Sequence, residues 1–215
     1  MPFKTQTFIA SVLLSLVAAP AYAGNETPLS AETFRPDKGI VLLQVNWGRK
    51  WGCGGYENAQ IEELDFSGIG EKVASSLTLQ TPSKIAVDNR FLPYALVVQP
   101  GEYAMSGYDV KAARSVSDVG HFTGTKAELI KDNKPLAGSF AVNAGEIVYI
   151  GSFGLDCAKQ PMPWRYYVDG RSEFVGFVEG FRKRYPFTKA IPVQFRLFST
   201  TTIGNQFSLD DSTVK

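Results

Sequence analysis

Apolar residues recur at every second position through most of this chain, and that period allows few folds. Leu43, Val45 and Trp47 alternate with Gln44 and Asn46, Leu64 and Phe66 flank Asp65, and Leu77 and Leu79 flank Thr78. Near the end, Val193, Phe195 and Leu197 alternate with Gln194 and Arg196. Successive side chains of a strand point to opposite faces, so each run reads as a strand with one buried and one wet face. Turn signals separate the runs: Pro82-Ser83, Asp88-Asn89, Pro100-Gly101, Asp132-Asn133, Ala144-Gly145 and Pro161-Met162-Pro163. Many short strands with frequent turns predict a mainly β fold, an antiparallel β-sandwich.

One segment departs from period two. Phe174, Phe177, Val178, Phe181 and Tyr185 recur at spacings of three and four, which predicts a helix over about residues 171–185 packed on the sandwich. Asp169 or Ser172 can cap its start and Pro186 stops it. Gly176 and Gly180 leave one side without bulk, so that side is expected to approach a sheet closely. A strand is expected over residues 192–200. The densest basic cluster, Arg182-Lys183-Arg184, falls at the end of this helix, where cations complement the dipole. An internal echo also stands out: Val98-Gln99-Pro100-Gly101-Glu102 with Gly107 matches Val142-Asn143-Ala144-Gly145-Glu146 with Gly151. Each copy reads as strand, tight turn, strand, which suggests one hairpin solution used twice.

The beginning of the chain carries an address. Lys4 precedes an apolar run from Phe8 to Val17 and a small-residue exit, Ala21-Tyr22-Ala23. That order predicts a cleavable secretory signal over residues 1–23. Residues 24–38, with Pro28 and Pro36, read as a flexible leader, residues 39–203 as one domain, and the polar residues 204–215 as a loose tail. Losing Lys4 leaves 21 basic residues against 21 acidic. A neutral, interspersed surface argues against nucleic acid as partner, and no later stretch is long enough to span a membrane. The expected location is periplasmic or extracellular. Cys53 and Cys157 are the two cysteines, and in an oxidising space they are expected to pair.

Chemistry is sparse. His121 is the single histidine, which removes multi-histidine zinc sites, and no Gly-x-Ser-x-Gly elbow accompanies it. Glu62, Glu63 and Asp65 are neighbours, with Glu63 and Asp65 on the wet face of a strand, where solvated carboxylates are the ordinary reading. No phosphate-cradling loop or dinucleotide fingerprint is present, so neither a cofactor nor a metal is expected. The remaining unusual segment runs from Trp47 to Tyr56 and holds Trp47, Arg49, Trp51 and Tyr56 among four glycines. A Cys53–Cys157 bridge would draw Trp164 toward it. These aromatics form either a recognition surface at one end of the sandwich or a small core around the disulfide.

The Pro100-Gly101-Glu102-Tyr103 turn, the strand from Ala144 to Gly151 and the helix ending in Arg184-Tyr185-Pro186 together resemble a group of bacterial secreted and lipoprotein domains of unknown function. Those domains have a small transthyretin-like or immunoglobulin-like sandwich, and the resemblance covers roughly residues 90–200. It implies the fold and brings no catalytic residues. The chain lacks the lipidation cysteine of the lipoprotein members. The expected role is a non-catalytic exported envelope or extracellular domain that binds a macromolecule, such as an envelope protein, or a glycan. A hydrolase using a carboxylate pair or His121 is the rival, and a structural or assembly subunit a third class.

Overall fold

The computed structural model of the protein describes residues 27–70, 75–82, 88–210 and 212–215. The expected signal over 1–23 lies outside the described residues. In chain order the strands are β1 (Gly39–Asn46), β2 (Lys50–Cys53), β3 (Tyr56–Ile69), β4 (Ser76–Gln80), β5 (Phe91–Val98), β6 (Gly101–Ser115) and β7 (Asp118–Gly124). After the one-turn helix α1 (Lys126–Leu129) come β8 (Ile130–Lys131), β9 (Lys134–Pro135), β10 (Ser139–Val142), β11 (Ile147–Asp156) and β12 (Met162–Tyr166). The long helix α2 (Gly170–Arg184) precedes β13 (Val193–Phe195) and β14 (Thr213–Val214). The protein is mainly β, as the period-two pattern requires.

Two sheets stack with α2 outside them. The first sheet runs β14-β13-β11-β1-β5, with β12 also on β11; the second runs β10-β6-β3-β2, with β4 on β3 and β7 on β6. The core between the sheets holds Val41, Leu43, Val45 and Trp47 of β1 and the turn after it, against Ile61, Leu64, Phe66 and Val110 of the second sheet. Phe66 meets Phe140, Phe153 and Phe198 edge-on at centroid distances of 5.7, 5.7 and 6.0 Å, the geometry that aromatic quadrupoles favour. A second apolar layer lies on the other side of the first sheet, where Ile40, Leu42, Ile147 and Tyr149 meet Phe174, Val178 and Phe181 of α2.

That double cover explains a departure from a purely antiparallel sandwich. Residues 40–43 and 147–150 are unbroken apolar runs, and strands buried on both faces read this way in parallel arrangements. Correspondingly, β1 pairs with β11 in parallel, and so does β11 with β13, while β1–β5 and β11–β12 are antiparallel.

The echoed turns are not hairpins. β5 and β11 belong to the first sheet and β6 and β10 to the second, so each turn carries the chain across the sandwich. The two copies lie side by side, Gly101 opposite Val142 and Glu102 opposite Ala141. Gly145 has φ +72°, a conformation only glycine adopts without steric cost, and its N–H donates to the Lys38 carbonyl at 2.8 Å. Glu146 accepts two guanidinium hydrogen bonds from Arg196, at 3.0 Å each; that pairing holds its carboxyl below the usual carboxylate range.

The expected leader and tail are both tied down. Leu29 is buried and donates its N–H to the Ala95 carbonyl at 2.8 Å, while the Val97 N–H reaches the Thr27 carbonyl at 2.9 Å. Residues 27–29 thus continue the first sheet past β5, and only residues 24–26 of the leader lie outside the described residues. At the other end Val214 pairs with Val193, Phe207 stacks on Tyr167 at 4.1 Å, and Arg182 donates to the carbonyls of Ile191, Val214 and Lys215. Edge strands leave unpaired backbone groups, and covering them with a further segment of chain satisfies those groups. The strand expected over 192–200 is regular only at Val193–Phe195, with an isolated bridge at Ser199.

Helix α2 begins where Asp169 predicts, with the Asp169 N–H donating to the Glu173 carboxylate at 2.8 Å, and Pro186 opens a short 3-10 turn after it. Its glycines behave differently from expectation. A Cβ added at Gly176 or Gly180 would meet nothing within 4 Å. The two glycines border a groove of about 380 Å³ together with Leu42, Pro93, Ala95 and Phe177. Glycine inside a helix costs about 0.5–1 kcal/mol relative to alanine. Gly176→Ala and Gly180→Ala are therefore each expected to stabilise the protein by about that amount in thermal melts. A loss of stability for either would mean that the groove closes onto the helix in solution.

Candidate functional site

The disulfide is present: Cys53 and Cys157 are bonded, with Cα atoms 4.6 Å apart. Cys53 is buried at the end of β2 and Cys157 follows β11, so the bridge staples the second sheet to the first. The Gly54 N–H donates to the Cys157 carbonyl beside it, at 3.1 Å.

The aromatic residues around it do not gather into one surface. Trp47 is wholly buried, its indole N–H donating to the Tyr94 hydroxyl at 2.7 Å. Tyr56 packs edge-on against Phe122 at 5.4 Å, under the Arg114 guanidinium at 4.7 Å. Trp164 is half-buried on β12, opposite Gly154 of the first sheet. Trp51 alone is open, 67% exposed, with the Arg49 guanidinium 5.8 Å from its ring. Among the described residues no ring contact joins two of the tryptophans.

Trp51 instead belongs to the outer face of the second sheet. It lies opposite Asn58, Gln60 lies opposite Lys111, and Lys111 lies opposite His121. Residues opposite one another share a face, as do residues two apart, so Trp51, Asn58, Gln60, Asp109, Lys111 and His121 point the same way. The core takes Ala59, Ile61, Val110 and Ala112 between them. Trp51 and His121 are three strand spacings apart, roughly 14 Å across the sheet.

A β-bulge adds to this face. The β3–β6 register shifts between Ile61 and Glu63, so Glu62 and Glu63 both stand outside while Ile61 and Leu64 stay in the core. Bulges re-aim side chains in this manner. Glu62 is left 9% exposed, and its Oε1 has no hydrogen-bond partner. His121 Nδ1 lies 2.8 and 3.0 Å from the two Asp109 carboxylate oxygens. One ligand atom from each of Glu62, Asp109 and His121 lies within 4.8 Å of the others. The sequence expectation of no metal ligand did not foresee this convergence. Its trace is the polar pair Glu62-Glu63 between two core residues, a one-residue break in period two.

Burial pushes the Glu63 carboxyl above the usual range, and repulsion from Asp65 and Asp109 adds to that shift. A carboxyl that holds its proton more tightly when folded favours folding at low pH and loses that advantage as pH rises through its folded pKa. Glu63→Gln keeps a carbonyl oxygen for Gln80, whose amide donates to Glu63 Oε2 at 2.7 Å. The variant is expected to gain stability over the natural protein at about pH 7 and to lose that gain by about pH 4. Urea unfolding at both values checks this; a gain that is equal at both, or a loss at neutral pH, would contradict it.

No helix among the described residues is long and apolar enough to cross a membrane. No protein family, no curated protein and no solved structure matches this chain.

Proposed function

We propose that this is an exported, non-catalytic binding domain, periplasmic or extracellular, that takes a glycan on the outer face of its second sheet. The observation that carries the reading is Trp51, an exposed indole ring beside Arg49 on the face that also presents Asn58, Asp109 and His121. A flat apolar ring that shares one face with amide, carboxylate and imidazole groups suits a ligand with alternating C–H faces and hydroxyls. The roughly 14 Å from Trp51 to His121 matches an oligosaccharide better than a single sugar. The buried disulfide is consistent with an oxidising compartment. We place the chain, on the same proposal, with the bacterial secreted sandwich domains it resembles.

The rival hydrolase finds less support. Glu63 and Asp65 stand two apart on one open strand face, whereas the carboxylate pairs that cleave glycosides flank the scissile bond from two sides. Screening the protein without residues 1–23 on a glycan array, beside Trp51→Ala, tests the proposal. The natural sequence is expected to retain at least one glycan class, and Trp51→Ala to lose it with an unchanged melting temperature. Binding to no glycan, or equal binding by the variant, would reject the reading in favour of a protein partner or an assembly role.

A further inference from the structure

We propose that Glu62, Asp109 and His121 form a binding site for one divalent transition-metal ion, zinc being the best fit to their donors. The inference stands on its own geometry and does not require that the face bind a glycan. Three strands supply one ligand each: the bulge of β3 supplies Glu62, β6 supplies Asp109 and β7 supplies His121. Zinc bonds to nitrogen and carboxylate oxygen at about 2.0–2.2 Å, which sets neighbouring ligand atoms about 3.3 Å apart. The Asp109 and His121 atoms already lie 2.8 Å apart, and the set spans no more than 4.8 Å. The closure that remains is within reach of rotamer changes at Asp109 and His121, which are partly exposed.

Glu62 is the independent sign of a cation site. Buried polar atoms are almost always partnered, because an unpaired one forfeits its hydration without return. Glu62 Oε1 is buried and unpartnered, at a bulge that turns an extra carboxylate outward. Glu63 and Asp65 stand on the same face, so four carboxylates gather there around Lys111. The nitrogen donor selects the metal class. Calcium and magnesium prefer oxygen cages, while one imidazole with two carboxylates suits zinc and its transition-metal neighbours. Three protein ligands leave a coordination position open, and with His121 exposed that position faces solvent.

The single histidine makes the test direct, because its imidazole signals in an NMR spectrum need no assignment. One equivalent of ZnCl2 added to tag-free protein without residues 1–23 is expected to shift those signals, with saturation at one ion per chain by calorimetry. Excess CaCl2 should not reverse the shift. Glu62→Gln, Asp109→Asn and His121→Ala should each weaken binding at least about tenfold, with circular dichroism unchanged. Unshifted imidazole signals in the natural protein, non-saturating heats, displacement by calcium, or full affinity in folded Glu62→Gln would each overturn the proposal.

Discussion

Replacing both Cys53 and Cys157 by serine is expected to cost about 4 kcal/mol of stability. The bridge closes a loop with a sequence separation of 104, and the chain-entropy account of so long a loop gives about 4–5 kcal/mol, before any effect on the native state. Domains of this kind hold about 5–15 kcal/mol in total, so the loss is a large share. It falls where the sandwich most needs a tie, between the end of β2 in the second sheet and the segment after β11 in the first. Urea unfolding of the double serine variant against the oxidised protein measures it. A difference below about 1 kcal/mol would mean that the two sheets stay docked through their shared core alone.

The tryptophans supply the second large effect through their contrast. Trp47 is wholly buried and bonded to Tyr94, so Trp47→Ala opens a cavity in the main core and should cost about 3–5 kcal/mol. Trp51 is 67% exposed, and Trp51→Ala should stay within about 0.5 kcal/mol of the natural protein. Acrylamide should quench Trp51 and leave Trp47 protected. Comparable losses for the two variants would show that Trp51 is packed, and the proposed binding face would lose its anchor.

How far residues alone reveal this molecule varies by layer. In the second sheet one face is core and the other is open, so Leu64, Phe66, Leu77 and Leu79 alternate visibly with polar neighbours. In the first sheet α2 covers the face that the sandwich leaves free, and residues such as Ile40–Leu43 lose their alternation. Their parallel pairing was therefore not legible. The α2 stripe of Phe174, Val178 and Phe181 was legible from its spacing and is buried as expected. The echo around Gly101 and Gly145 records a turn but not the sheet to which the next strand goes, since that choice is made by distant strands. The open Trp51 could be anticipated from its loop. The convergence of Glu62, Asp109 and His121 could not, because it needs the register of three strands and a bulge.

Hydrogen exchange measured with and without the oligosaccharide that the array ranks first tests the central claim most directly, because it maps where the ligand sits. The account predicts slowed exchange in peptides covering β2, β3, β6 and β7, with no change along α2. Protection centred on α2 and the groove beside Gly176 and Gly180 would contradict it, as would an unchanged exchange pattern at saturating oligosaccharide.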